Sequence, residues 1–313
     1  MNKLDILIVM DPVETINIDL DTTFALALAA QERDFSIWIT YQDQLIIDHA
    51  QPVCNTRQVI FKRQNPCFEW ISENQRKPLD DFNYILMRKD PPFDEKFFFA
   101  THILSLCQEA KVVNRPESLR NAPEKIYGLN FPQINPPSIV TSDAAEIKSF
   151  LMDSPKGVIV KPLNQCGGAG IIYLSKQDKN FNSLIELSTK NGSEYIIVQH
   201  YLPEIVNGDK RVICVNGDPL GAILRVPDPE EHRGNIHVGA KVKRVELTKR
   251  DRWLMDQIRD KLVQDGLYFV GLDIIGDYIT EINVTSPTGI QEILKLGGND
   301  IAKYFWDNIS TFS

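Results

Sequence analysis

VGLDIIGDYITEINVTSP, residues 270–287, is the stretch whose reading decides the fold. Two apolar runs, 269–275 and 279–284, flank Gly276, Asp277 and Tyr278, the pattern of a β-hairpin. Asp273, Glu281 and Asn283 bring two carboxylates and an amide oxygen onto its neighbouring strands. Hard oxygen donors of this kind suit Mg²⁺ held together with substrate phosphates, with Mn²⁺ as a substitute. Glu281 and Asn283 are two apart and so share a face. Asp273 joins them if the turn has three residues, which pairs 275 with 279 and therefore 273 with 281. A two-residue turn pairs 273 with 280 and sends Glu281 to the opposite face. The competing reading is an antiparallel hairpin whose acids face solvent. The apolar flanks Val270, Leu272, Ile274, Ile282 and Val284 favour a cleft instead.

Upstream, the first third alternates apolar runs with helical patterns: 6–10, 22–33, 36–41, 84–87, 94–109 and 112–114. This order reads as βαβ units, which favour a parallel sheet with helices on both faces and ligands at the carboxyl ends of the strands. Asp11 and residues 88–90 fall at such ends. Pro116, Asn121 and Pro123 then crowd into a linker, which places a domain boundary between residues 122 and 123. The second unit mixes strands (157–161, 171–174, 195–199, 211–216, 219–225) with a helix at 248–265, an α+β pattern. Residues 226–245 carry charges, prolines and glycines with little apolar periodicity. A connection that long inside a compact domain reads as a lid.

The 313 residues are enough for two domains or three small ones, each with its own core. A net charge of -8 gives no electrostatic footprint for nucleic acid or an anionic membrane. Five scattered cysteines without a C-x-x-C pair point to a reducing cytoplasm, not to a disulfide framework or a zinc site. The opening MNKLDILIVMDP is too short for a signal segment, and no run is long enough to span a bilayer. The expectation is a soluble protein that handles small molecules.

Several weaker signals lie between the linker and the hairpin. Lys125 and Lys161 are candidate phosphate contacts, though each taken alone reads more readily as a snorkelling surface lysine. After Lys161 comes a glycine-rich turn with Gly167 and Gly168, whose bare N–H groups suit phosphate oxygens. It is neither a P-loop nor a dinucleotide fingerprint. The run YIIVQHYL, 195–202, reads as a buried strand entering a hinge at Gln199, His200, Tyr201 and Leu202, where main-chain groups are placed to read an adenine edge. Arg211, Arg225 and Arg233 carry guanidinium forks suited to a transferring phosphoryl group, or to plain surface ion pairs.

Taken in order, Lys125, Lys161, the glycine turn, the hinge, the basic lid and D-x7-E-x-N resemble the ATP-grasp superfamily. Within it, VMDPVETINIDLDTTFA (9–25), ILMRKDPPFD (85–94), NRPESLRNAPEK (114–125), GDKRV (208–212) and FVGLDIIGDYITEINVTSPTGI (269–290) resemble prokaryotic glutathione synthetases over nearly the whole chain. The resemblance implies an N-terminal Rossmann-like parallel-sheet domain (1–122) and a two-lobed ATP-grasp domain (123–313). The lobes would span about 123–200 and 201–313. It implies ATP-dependent ligation of γ-glutamylcysteine to glycine through an acyl phosphate, in a cytoplasmic homotetramer. Carried over by position, Asp273, Glu281 and Asn283 hold Mg²⁺. Lys125, Lys161, Gly167, Gly168, Gln199, His200, Tyr201, Leu202 and Asp209 bind ATP. Arg211, Arg225 and Arg233 neutralise the transferring phosphoryl group, Asp11, Asn17 and Arg88 receive the dipeptide, and Ser286 and Thr288 lie near glycine.

Two stretches depart from the family pattern: Gln165 and Cys166 stand where a more glycine-rich turn is expected, and the lid ends in Gly239–Ala240 instead of paired glycines. Two other readings remain open on the residues alone. One is a different ATP-grasp carboxylate–amine ligase, such as one that joins D-alanines or adds glutamate to a protein tail. The other is a nucleotide-binding protein that keeps the fold without the chemistry.

Overall fold

The computed structural model describes residues 3–165, 167–227 and 241–312. The first eight strands are β1 (Asp5–Met10), β2 (Ser36–Tyr41), β3 (Leu45–Asp48), β4 (Gln51–Phe61), β5 (Phe68–Trp70), β6 (Gln75–Pro78), β7 (Tyr84–Met87) and β8 (Lys111–Val113). They form one sheet with path β3-β4-β2-β1-β7-β8, and β5 and β6 pair with β4. Pairing is parallel for β1 with β2, β1 with β7 and β7 with β8, as the βαβ pattern predicts. The antiparallel edge built from β3 to β6 was not predicted. Its residues are more polar and lack a helical crossover to announce them.

Helices α1 (Thr22–Gln31), α2 (Glu95–Leu104) and α3 (Pro116–Asn121) cover this sheet. Asp21 caps α1 through Phe24 N–H at 2.7 Å, and Asp94 caps α2 through Phe97 N–H at 2.9 Å. Alternation along β1 splits its side chains between two cores. Leu7 and Val9 pack with Phe97 and Leu104 of α2, whereas Ile6 and Ile8 pack with Phe24 and Leu26 of α1. Both faces are therefore buried, which is why these strands are continuously apolar.

The middle unit has strands β9 (Ser138–Thr141), β10 (Val158–Pro162), β11 (Ile172–Leu174) and β12 (Ile196–His200), in the order β11-β10-β12-β9. Helices α4 (Ala144–Asp153) and α5 (Phe181–Ser188) cover one face and enclose a separate core of Ile147, Leu151, Val158, Val160, Ile185 and Val198. Lys161 and Gln199 alternate to the other face.

The last unit has β13 (Asp209–Val215), β14 (Asp218–Val226), β15 (Lys241–Arg244), α6 (Lys249–Asp256), α7 (Arg259–Gln264), β16 (Phe269–Ile275), β17 (Tyr278–Asn283), α8 (Ile290–Lys295) and α9 (Ile301–Asn308). Its sheet runs β15-β14-β13-β16-β17. The single helix predicted at 248–265 is two. A Thr248–Asp251 capping box starts α6, and the chain breaks at Gln257–Ile258 before α7. Val212, Leu272 and Ile282 share a core with Leu7 and Phe97, and Ile213 and Phe305 share one with Ile6 and Phe24. Helix α9 lies against α1, where Trp306 Nε1–H donates to Leu26 O at 2.7 Å. The first and last units thus share their cores, and the middle unit stands apart with its own.

Candidate active site

The hairpin β16–β17 resolves the question of register in an unanticipated way. Its turn has two residues, because Ile275 pairs with Tyr278, and Gly276 takes the positive φ (+56°) that such a turn favours. Uninterrupted pairing would then set Asp273 opposite Thr280. Instead Ile274 pairs with Ile279 and Asp273 with Glu281, so Thr280 is the extra residue of a β-bulge. The bulge restores the register that places Asp273, Glu281 and Asn283 together, with Asn283 opposite Gly271. Asp273 does not face solvent, being 4% exposed, and Glu281 is part-buried, with 20% of its side chain exposed.

Strands β13 and β14 bring the arginines to the same place. Arg211 pairs across the sheet with Asp273, and Arg225 with Asp209. Arg211 grips Asp273 in two-pronged fashion, Nε to Oδ1 at 2.5 Å and Nη2 to Oδ2 at 3.0 Å. Arg225 Nη2 lies 3.0 Å from Asp273 Oδ1 and also donates to Asp209 Oδ2. Asn283 Nδ2 donates to Gly271 O at 3.1 Å and Asp273 Oδ2 at 3.3 Å, which leaves its Oδ1 to serve as a ligand. Gly271 makes this approach possible, because a Cβ there would sit 2.8 Å from Pro287 Cβ and 3.3 Å from Arg211 Cδ.

The middle unit supplies two more cations. Lys125 Nζ lies 3.1 Å from Glu281 Oε1 and donates to Gln165 O at the glycine turn. Lys161, on β10, faces Glu281, Asp209 and Asp273 across the cleft, with Lys125 beside it. Burial lowers the Lys161 pKa and Lys125 lowers it further, against the pull of the three acids. Burial opposes ionisation of Asp273, but Arg211 and Arg225 outweigh it and hold the carboxyl well below the usual range. Asp209 goes the other way: burial pushes it up to about 6 despite Arg225, with the Asp273 charge adding to the rise. Four cations thus face three acids in one buried cluster.

Two atoms of that cluster, Asp209 Oδ1 and Arg225 Nε, are buried with no hydrogen-bond partner among the described residues. Unpaired buried polar atoms are what a polar ligand would satisfy. The oxygen donors of Asp273, Glu281 and Asn283 fit a hard divalent cation in type and in facing. The two carboxylate charges are met here by Lys125 at Glu281 and by Arg211 and Arg225 at Asp273.

The glycine turn holds Gly167 and Gly168 at φ +66° and +81°, a backbone open to only a few other residue types. At the hinge, His200 N–H donates to Pro137 O at 2.9 Å and Tyr201 N–H to Gly157 O at 3.0 Å. Those two donors are therefore engaged within the lobe. Gln199 is buried and its Nε2 donates to Ser138 Oγ at 3.1 Å.

The N-terminal residues meet the cluster through the loop after β17. Arg88 is buried, donating from Nε to Thr23 Oγ1 and from Nη2 to Pro287 O, each at 3.1 Å, while Nη1 is unpartnered among the described residues. Ser286 Oγ donates to Asp90 Oδ1, and Arg211 Nη1 donates to Thr288 O at 3.3 Å. Asp11 is tied to the loop after β7 by Lys89 Nζ at 2.9 Å and Asp90 N–H at 2.9 Å. Asn17 is exposed, its side chain accepting from Asp19 N–H at 3.0 Å, and does not join the cluster. Arg233, Cys166, Gly239, Ala240 and most of the predicted lid lie outside the described residues.

Sequence reasoning passed over Asn114, Gly271 and Glu124. Asn114 donates from Nδ2 to Phe269 O (2.9 Å) and Val284 O (2.7 Å) and accepts Phe269 N–H (2.8 Å), stapling the entry of β16 to the exit of β17. Its place at the end of the apolar strand 112–114 was the only signal.

Comparison with known proteins places this geometry. Residues 4–120 match the N-terminal domain of prokaryotic glutathione synthetase, and residues 124–298 match its ATP-grasp domain. The chain is 44% identical over 303 residues to a glutathione synthetase of Synechococcus elongatus, covering 93% of this chain and 94% of that one. It is 40% identical over 306 residues to a glutathione synthetase of Coxiella burnetii, covering 97% and 95%. Among solved structures it is similar to a D-cycloserine synthetase (TM-score 0.70, 14% identity, 98% and 99% covered). It is also similar to the D-alanyl-alanine synthetase A of Vibrio cholerae (TM-score 0.62, 12% identity, 100% and 99% covered). At those identities the structures speak for the fold alone. Both halves of the family model and the curated relatives converge: the chain belongs to the prokaryotic glutathione synthetase family.

Proposed function

We propose that this ATP-dependent ligase joins γ-glutamylcysteine to glycine in the cleft between the middle and last units. The observation that carries the reading is the buried cluster of Lys125, Lys161, Arg211 and Arg225 around Asp209, Asp273 and Glu281. In the first half-reaction a cysteinyl carboxylate oxygen attacks the γ-phosphorus of ATP, the bond to the bridging β–γ oxygen breaks, and ADP leaves. In the second the glycine amine attacks the acyl carbon, loses a proton and expels phosphate. Such chemistry asks for charge neutralisation and alignment more than for a covalent nucleophile on the protein. Arg211 and Arg225 supply guanidinium charge beside the reacting oxygens, and Lys125 and Lys161 hold the nucleotide phosphates. Gly167 and Gly168 cradle phosphate oxygens, while Gln199, His200, Tyr201 and Leu202 line the adenine end, with Asp209 at the nucleotide. Mg²⁺, or Mn²⁺ in its place, would be held by Asp273, Glu281 and Asn283 and would supply Lewis acidity toward the phosphate oxygens. Arg88 and Asp11 receive the dipeptide with Asn17 at the margin, Ser286 and Thr288 receive glycine, and Arg233 acts from the lid.

We further propose a division at residues 122/123, with lobes of 123–200 and 201–313 and a lid at 226–245, in a cytoplasmic homotetramer. Free thiols at the four described cysteines support a reducing compartment. No described helix is long and apolar enough to cross a membrane. The test is phosphate release by the purified chain with ATP and Mg²⁺, omitting γ-glutamylcysteine and glycine in turn and offering paired D-alanine in parallel. Release that needs both substrates and yields the tripeptide by mass supports the reading. Release with D-alanine alone would transfer it to another ligase class, and silence despite ATP binding would leave a non-catalytic nucleotide-binding protein.

A further inference from the structure

Glu124 sits one residue before Lys125 and carries none of the binding or catalytic roles of its neighbours. Its backbone carbonyl accepts Ile282 N–H at 3.0 Å. Its side-chain Oε1 accepts Val284 N–H at 2.9 Å, Thr285 N–H at 3.0 Å and the Thr285 hydroxyl at 2.8 Å. One residue from the start of the middle unit thus makes four hydrogen bonds to segment 282–285 of the last. Strand pairing of β17 with β16 ends at Asn283, so these bonds take over where the sheet stops. Burial and the neighbouring Glu281 charge push the Glu124 carboxyl up, and the three donors oppose them. Three donors converging on one carboxylate oxygen give that side chain a geometric task.

The loop beyond the clamped segment defines that task. Loop 285–289 leaves from the clamped point and offers Pro287 O to Arg88, Thr288 O to Arg211 and Ser286 Oγ to Asp90. A shift at Val284–Thr285 moves all three together. We propose that Glu124 is a positioning residue that fixes loop 285–289 at the end of β17 for the incoming amine; this rests on the assignment of that loop to glycine. Because Lys125 contacts Glu281 and the glycine turn, the pair Glu124–Lys125 ties both sides of the cleft to one short peptide.

The test compares wild type with Glu124→Ala, Glu124→Gln and the milder Thr285→Val. Glutamine keeps an oxygen acceptor at the same place without the charge, and alanine leaves two backbone N–H groups without an acceptor. In Glu124→Ala the glycine KM rises by about tenfold, with the ATP KM within about twofold, and more ATP is consumed per tripeptide formed. Glu124→Gln restores most of the glycine KM, and Thr285→Val raises it by about threefold. Single-amide hydrogen exchange on the ligand-free protein shows faster exchange at Val284 and Thr285 in Glu124→Ala. Exchange needs no turnover, so it decides the clamp even if the ligase assignment fails in wild type. Unchanged exchange at these two amides overturns the proposal, as does a Glu124→Gln variant as impaired as alanine. A fall in kcat with the glycine KM unmoved also overturns it. If Glu124→Ala does not fold, the Gln and Val variants decide by the same readouts.

Discussion

Asp273→Asn tests whether the buried cluster is a linked electrostatic unit or a set of acids on a wet hairpin. Asp273 receives both prongs of Arg211 and one nitrogen of Arg225, and all three side chains are nearly enclosed. Asparagine keeps the volume but removes the charge, leaving Arg211 without a carboxylate while Arg225 keeps Asp209. Breaking one partner out of a buried ion pair costs about 3–5 kcal/mol. With an unfolding entropy of about 2.1 cal/mol/K per residue, a chain of this length has about 0.66 kcal/mol/K. The expected loss is then about 5–8 °C in Tm for the ligand-free protein, read by scanning calorimetry. A cycle with Arg211→Met sharpens the test. If the two groups serve each other, the double variant is more stable than the summed single losses predict, by about 1.5 kcal/mol or more. An exposed acid would change stability by only about 0.5 kcal/mol. A Tm shift under about 1 °C with an additive cycle would refute the electrostatic account of the site.

Lys161→Met removes a charge that burial already disfavours, so Tm should hold within about 2 °C or rise, while the ATP KM rises about tenfold or more; a Tm collapse with ATP binding intact would reverse the assignment. Asn114→Leu leaves Phe269 N–H, Phe269 O and Val284 O without partners, an expected loss of about 3 kcal/mol or more in urea unfolding. Burial pushes the thiols of Cys54, Cys107 and Cys214 up to about 12 each, so at pH 8 they should resist alkylation in the native protein and react once it is unfolded. Between about pH 9 and 12 the folded thiols keep protons that the unfolded chain has lost, so stability falls as pH rises through that window, which urea unfolding at stepped pH would read.

The parallel strands were legible because burial on both faces makes a strand continuously apolar, as in β1 and β7. The antiparallel edge β3–β6 was not, since half-exposed strands with Arg57, Gln58 and Lys77 dilute that signal. The hairpin shows a finer limit. Spacing placed Glu281 and Asn283 on one face and left Asp273 to the turn length, but neither turn length considered allowed for a bulge at Thr280, which depends on how the strand packs. Arg211 and Arg225 were readable as candidates, yet their bidentate hold on Asp273 arises only when β13, β14 and β16 lie side by side. Glu124 and Asn114 act across 170 residues or fewer but more than 150, a range over which local pattern carries no information.

The central claim is that the cysteinyl carboxylate is phosphorylated before the amine arrives, and isotope transfer tests it most directly. γ-Glutamylcysteine carrying ¹⁸O in the cysteinyl carboxyl is turned over with ATP, Mg²⁺ and glycine, and the released phosphate is weighed. Attack on the γ-phosphate with later amine displacement leaves one carboxyl oxygen in each phosphate, so the account predicts one ¹⁸O per phosphate formed. Unlabelled phosphate alongside tripeptide formation would contradict it, because the carboxylate would then never have carried the phosphoryl group.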